Sequence, residues 1–163
     1  MKSVSEFAGL LGEPVRQDEG HLIEEIGRLW SVVLPEDFVA VAGAYGDVGI
    51  ADRMSLLGAR SLRWYADLMG GQLEQSAPVP HLVLPSEGGA LLWGNTIDGD
   101  QLFLVPHEDG SWTVSAFLRH SVDHWYDSDL SFSDWFHLAL AGEIATDWLP
   151  EWTSLPHVLE LNE

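Results

Sequence analysis

The sequence predicts an α+β fold: N-terminal helices, then an antiparallel β-meander sheet, then a C-terminal helix. Three observations predict it. Up to about residue 70, apolar residues recur at helical spacing. From about residue 81 they fall in short runs separated by turn residues: HLVLP, ALLWG and DQLFLVP. Helical spacing then returns in SFSDWFHLALAGEI. Helices and strands kept apart along a chain point to α+β, not to alternating α/β. The length of 163 residues suits one domain spanning 1–163, and no internal repeat, low-complexity segment or linker divides it.

Taken in order, Ser3 and Glu6 form an S-x-x-E capping box that opens a short helix ending near Leu11, where Gly12 and Pro14 break it. In DEGHLIEEIGRLWSVVLP, the spacing of Leu22, Ile26, Leu29 and Val33 predicts one buried helical face. Pro35 starts the next helix where its missing N–H does no harm, and Glu36 and Asp37 suit the positive end of the dipole. Phe38, Val41, Ala42 and Tyr45 make that helix's buried stripe, and Gly46 stops it. A third amphipathic stretch, ARSLRWYADLM, ends at Gly70-Gly71. Beyond the first strands, Trp112, Val114, Ala116 and Leu118 alternate with Thr113 and Ser115, as in a strand with one face on the core. HEDGS before it and RHSVD after it suit hairpin connections, and DHWYDSD supplies one more strand. The closing helix takes Ser131 or Ser133 as its cap, with Trp135, Leu138 and Ile144 as core positions. The tail, DWLPEWTSLPHVLELNE, is broken by Pro150 and Pro156 and is expected to pack irregularly.

Composition narrows the function. Hydrophobic residues make up 46% of the chain, too many for disorder. The absence of cysteine excludes disulfides, thiolate-bound metals and a cysteine nucleophile. The start, MKSVSEFAGLLGEPV, lacks the pattern of a secretory signal, and no apolar run reaches the roughly 18 residues of a membrane helix. The cytoplasm is therefore the expected location. Seven lysines and arginines face 26 aspartates and glutamates, for a net charge of −19 at pH 7. Residues 81–163 hold 14 of those acids and one base, Arg119, for −13. Such a field repels nucleic acid and anionic lipid and attracts basic proteins, although acidity also serves plain solubility.

The stretch LLWGNTIDGDQLFLV, residues 91–105, holds Asp98 and Asp100 between two apolar runs. As a calcium loop centred on Gly99 it fails, because the alternate positions before Asp98 are Gly94 and Thr96 and the closing position is Val105. A catalytic carboxylate pair would need both acids to face one cavity. Two acids flanking a glycine between strands are also ordinary hairpin chemistry.

The same stretch, with Trp93-Gly94-Asn95 followed by Gly99-Asp100 and an apolar strand, resembles the W-G-x-x-x-x-G-D region of the SUKH superfamily. These are Smi/Knr-type domains, widespread among bacterial toxin-immunity proteins and named partly for a yeast cell-wall regulator. Glu24 and Glu25 followed by Leu34-Pro35-Glu36-Asp37-Phe38 resemble that family's paired helices. Tyr45-Gly46-Asp47-Val48-Gly49-Ile50 resembles the glycine turn into its first strand, and Phe132-Ser133-Asp134-Trp135-Phe136 its closing helix. The resemblance covers about residues 20–145; the stretch 51–80 is longer than the pattern, and the tail has no counterpart in it. It implies a non-enzymatic α+β domain that neutralises a toxin, often a nuclease, by direct binding. Trp93, Gly94, Gly99 and Asp100 match its motif, and packing and turn formation suffice to explain them.

Other chemistry can be weighed. His120 and His124 stand four apart, with Asp123 and Asp127 near, but without the glutamate of H-E-x-x-H. No G-x-S-x-G elbow and no glycine-rich phosphate loop is present, so no cofactor is expected. Trp125 shares a strand face with Asp127 and Asp123; an aromatic among acids suits contact with a basic protein, while half-burial under the C-terminal helix is the default reading of such a tryptophan. The leading expectation is an acidic module that binds a basic toxin domain through Asp98, Asp100, Glu108, Asp109, Asp123, Trp125, Asp127 and Asp129. The alternatives are a regulatory scaffold with a host partner, and a small metal-dependent hydrolase using Asp98 and Asp100 or the His120–Asp123–His124 group.

Overall fold

A computed structural model describes residues 1–68, 79–144, 146–152 and 155–162. Its α+β architecture is the one predicted, with N-terminal helices, an antiparallel sheet and a closing helix. Glu6 accepts the N–H of Ser3 at 2.7 Å, so the predicted box caps a 3-10 turn, Val4–Phe7, that runs into α1, Ala8–Leu11. α2 covers Gly20–Leu29 and α3 covers Glu36–Tyr45. β1 (Val48–Ile50) and β2 (Met54–Leu56) form a hairpin, and α4 includes residues 62–68. The meander follows as β3 (Leu91–Thr96), β4 (Gln101–Pro106), β5 (Trp112–Phe117) and β6 (Trp125–Asp127). α5 spans Phe132–Leu140, and β7 spans Leu159–Leu161. The predicted end of the third amphipathic stretch, at Gly70-Gly71, lies outside the described residues.

The stripe of α3 is as expected: Phe38, Val41, Ala42 and Tyr45 are buried. The face predicted for α2 is not. Ile23 and Ile26 are buried beside Gly20 and Gly27, whereas Leu22, Leu29 and Val33 are exposed. The buried face is instead the one that carries those two glycines, where α3 comes close: a Cβ on Gly43 would meet Gly20 N at 2.6 Å. Val33 leaves the helical face for a separate reason, the way the helix ends. Ser31 takes the left-handed conformation at φ 56°, Val32 N–H returns to Gly27 O at 2.9 Å, and Ser31 N–H to Arg28 O at 3.1 Å. That is the Schellman pattern, with serine where glycine is usual. It turns the chain off the helix before Val33, so the periodicity does not reach that residue. Gly27 is small for the same reason, since a Cβ there would meet Val32 O at 2.8 Å.

The seven strands lie in the order β6-β5-β4-β3-β2-β1-β7, every named pair antiparallel. Two sequence expectations need correction. HLVLP forms no strand: only Val83 makes a bridge, to Ala90, because Pro80 and Pro85 bracket a run too short for a ladder. The tail is not wholly irregular: Leu159–Leu161 pairs with β1 and covers what would be an open sheet edge.

Register divides the sheet into two faces, because directly paired residues point the same way. Leu102, Ala116 and Tyr126 share one face with Leu104 and Val114. α5 packs there: Trp135 donates its ring N–H to the Tyr126 hydroxyl at 3.0 Å. Trp93, at a bulge between Leu92 and Gly94, is fully buried against Phe132, Phe136 and Trp135. In α5 the buried positions are Phe132, Ser133, Trp135, Phe136, Ala139 and Leu140; Leu138 and Ile144, expected in the core, are only partly buried. Phe103, Ser115 and Asp127 share the other face with Phe117 and Trp125.

Candidate acidic binding surface

The turn between β3 and β4 settles the role of Asp100. Thr96 and Asp100 face each other across Ile97-Asp98-Gly99, with Thr96 N–H donating to Asp100 O at 3.0 Å and Gly99 N–H to Thr96 O at 3.0 Å. Gly99 sits at φ 93°, the conformation a three-residue hairpin loop demands. Asp100 is 4% exposed. One carboxylate oxygen accepts the Thr96 hydroxyl at 2.8 Å, and the other accepts Arg119 N–H at 3.1 Å. The carboxylate thus ties the β3–β4 turn to the chain leaving β5. Asp98 is exposed at the loop tip, and although both acids line one fissure, the two oxygens of Asp100 are already engaged by Thr96 and Arg119, so the pair is not a free catalytic one. Asp100 is also removed from the surface on which a partner was expected to meet it.

Topology splits the remaining acids between opposite ends of the sheet. The β3–β4 turn and the β5–β6 connection share one end, which puts Asp98 near Asp123. A fissure of about 480 Å³ there is lined by Asp98, Asp100, His120, Val122, Asp147 and Trp148, among others. Glu108 and Asp109 stand on the β4–β5 turn at the other end, a strand's length of roughly 20 Å away. Asp129 follows β6 back toward that end and lines a groove of about 730 Å³ with Trp112, Val33 and Glu36. Of the eight residues predicted as one surface, Asp98, Asp123 and Trp125 therefore stand toward one end, Glu108, Asp109 and Asp129 toward the other, Asp127 lies in mid-sheet opposite Ser115, and Asp100 is buried.

Individual carboxylates have local duties. Asp109 accepts both the backbone N–H and the hydroxyl of Ser111, and those bonds hold its pKa below the ordinary aspartate value. Asp127 accepts the Ser115 hydroxyl at 2.7 Å and the Trp125 ring N–H at 2.9 Å while remaining exposed. Trp125 is half-buried, with its ring 5.8 Å from Phe103 and 5.5 Å from His81. Its polar edge and one face are thus already occupied. It lies on the sheet face away from α5, so it does not pack under the closing helix.

His124 lies against Phe117 at 5.9 Å and its Nδ1 is 3.2 Å from Leu118 O. His120 and His124 lie in the β5–β6 connection, at the hairpin expected there. Among the described residues, no three of His, Asp and Glu come together as a cation site would need. The family-motif residues have structural duties. Trp93 joins sheet to helix, and a Cβ on Gly94 would meet Ser55 O at 2.6 Å, so β2 and β3 approach this closely only with glycine there. No described helix is long and apolar enough to cross a membrane.

The surface charge is almost uncompensated. Among the described residues, Asp134 is the one acid beyond residue 81 found in an ion pair, with the chain's own amino group at 3.6 Å. Arg60 is engaged with Glu19 and Asp47, and Lys2 with Glu6. Missed from sequence was Glu36, which stands exposed beside Asp129's groove; its place at a helix start gave it a sufficient local role. No protein-family model matches the chain, and neither the curated proteins nor the solved structures searched contain a match.

Proposed function

We propose that this chain is a non-enzymatic acidic binding protein, of the immunity type, that neutralises a basic toxin domain by direct contact. The carrying observation is that, among the described residues, the exposed acids from residue 81 onward stand in no ion pair. A structural salt-bridge network would pair such charges; a docking surface leaves them for a partner. Negative potential on a rigid sheet steers a cationic partner and speeds encounter. The likeness of Trp93-Gly94 and Gly99-Asp100 to the SUKH pattern supports the same reading, as do the packing roles those residues hold.

The test is inhibition of any basic toxin domain encoded by a gene adjacent to this one. The wild-type chain should abolish that activity at equimolar ratio. Reversing Glu108, Asp109 and Asp129 to lysine should weaken binding strongly at low salt and little at high salt. Full protection by the reversed variant, or binding to a host regulatory protein and to no toxin, would remove the proposal.

A further inference from the structure

The groove beside Asp129 has a second property besides charge. Val33 stands at its wall with 87% of its surface exposed, although a valine at the end of an amphipathic helix would ordinarily turn inward. The left-handed Ser31 is what carries it outward. Half-buried Trp112 lies across the groove, on the first residue of β5. A second groove of about 640 Å³, between α2 and α3, has Val33, Leu34 and Glu36 in common with it and is lined also by His21 and Arg28. Among the described residues the groove at Trp112 is lined by no lysine or arginine; its one cation is the amino group of Met1, which pairs with Asp134, and Glu36, Asp129 and the turn bearing Glu108 and Asp109 stand around it.

We propose that this groove receives a cationic segment of a partner protein whose bulky apolar side chain seats between Val33 and Trp112. The apolar walls supply the anchor site and the surrounding acids select the charge of what flanks it, the division of labour found at protein interfaces. An anionic lipid or a nucleic acid presents the wrong sign, and an uncharged apolar peptide would leave the acids unmet. A groove of about 730 Å³ accommodates one large side chain with its flanking backbone. The inference deepens the reading of the chain as an acidic binder and rests on it. It places the contact at the Glu36–Asp129 end of the sheet, away from Asp98 and Asp123.

Two synthetic peptides test it by titration calorimetry on the full chain: a lysine-rich peptide with a central leucine pair, and the same peptide with serines there. The leucine peptide should bind at least about tenfold more tightly, the scale of burying one or two aliphatic side chains. Val33→Ser, at a position too exposed to endanger folding, should remove most of that preference. Glu36→Gln with Asp129→Asn should weaken both peptides, and Asp98→Asn with Asp123→Asn should change neither. If the peptides bind equally, or Val33→Ser has no effect, the groove assignment fails while acidic binding stands. If neither peptide binds in dilute buffer, both fall together.

Discussion

Asp47 is the residue whose loss should cost the fold most per atom removed. It sits between α3 and β1 at φ 60° and is 2% exposed. Its carboxylate accepts Gly58 N–H at 3.1 Å, Arg60 N–H at 2.9 Å and the Ser61 hydroxyl, which fastens the start of α4 to the end of α3. Its backbone oxygen accepts from Arg16 at 3.0 Å and from Asn162 N–H at 2.8 Å, bringing in the loop before α2 and the end of β7. Hydrogen bonds to a charged group contribute about 1.5–3 kcal/mol each, and three lost together from one buried site are not additive. Asp47→Asn tolerates the left-handed backbone but presents an amide hydrogen to N–H donors, so a loss of about 2–4 kcal/mol is expected. Asp47→Ala loses all three bonds and adds roughly 1 kcal/mol of backbone cost. Urea unfolding followed by tryptophan fluorescence measures both. A loss below about 1 kcal/mol for Asp47→Ala would show that water replaces the carboxylate freely and that this junction is not a buried pin.

Two glycines should differ in cost. Gly94→Ala drives a Cβ into the backbone oxygen of Ser55 and should lose at least about 3 kcal/mol, whereas Gly99→Ala meets only the movable Arg119 side chain and should lose about 1–2 kcal/mol, mostly backbone strain. Equal losses by denaturant titration would contradict the close β2–β3 approach. In the β1–β2 turn, Ala51 and Asp52 both have positive φ, so Ala51→Gly should raise stability by about 0.5–1 kcal/mol and the melting midpoint by a few degrees. A lower midpoint would mean that the packing of the Ala51 methyl outweighs the strain. Burial raises the pKa of Tyr45, whose hydroxyl donates to Gly12 O at 2.7 Å, with Glu13 adding to the shift. Its contribution is whole below the unfolded value of about 10 and is lost as pH rises through the higher folded value. Tyr45→Phe should therefore flatten the alkaline limb of a stability–pH curve, and an unchanged limb would show that other groups govern it.

Long elements with strong patterns were legible in the sequence. The stripe of α3, strands β3 to β5, and the hairpin chemistry of NTIDGD follow from period and turn residues that act locally. What escaped depends on distant partners. β1, β2 and β7 have three residues each, too few for a period to show; a strand at β1 was expected only from the likeness of Tyr45–Ile50 to a glycine turn, and β7 depends on pairing with distant β1. The face of α2 escaped because it is marked by Gly20 and Gly27, which carry no apolar signal, and Val33 because the helix ends at a serine where glycine is usual. Asp98 and Asp100 look alike in sequence; the clue to their difference was Thr96, placed to bond the second acid across the turn and not the first. The division of the acids between two ends is a consequence of register, which residue type alone does not reveal.

The most direct measurement is the association rate with the proposed basic partner across ionic strength, by stopped flow. Rates should approach 10⁸ M⁻¹s⁻¹ in dilute buffer, within the range for steered encounter, and fall by about tenfold or more toward physiological salt. A rate that stays flat as salt is added would mean that the uncompensated acids do not guide recognition.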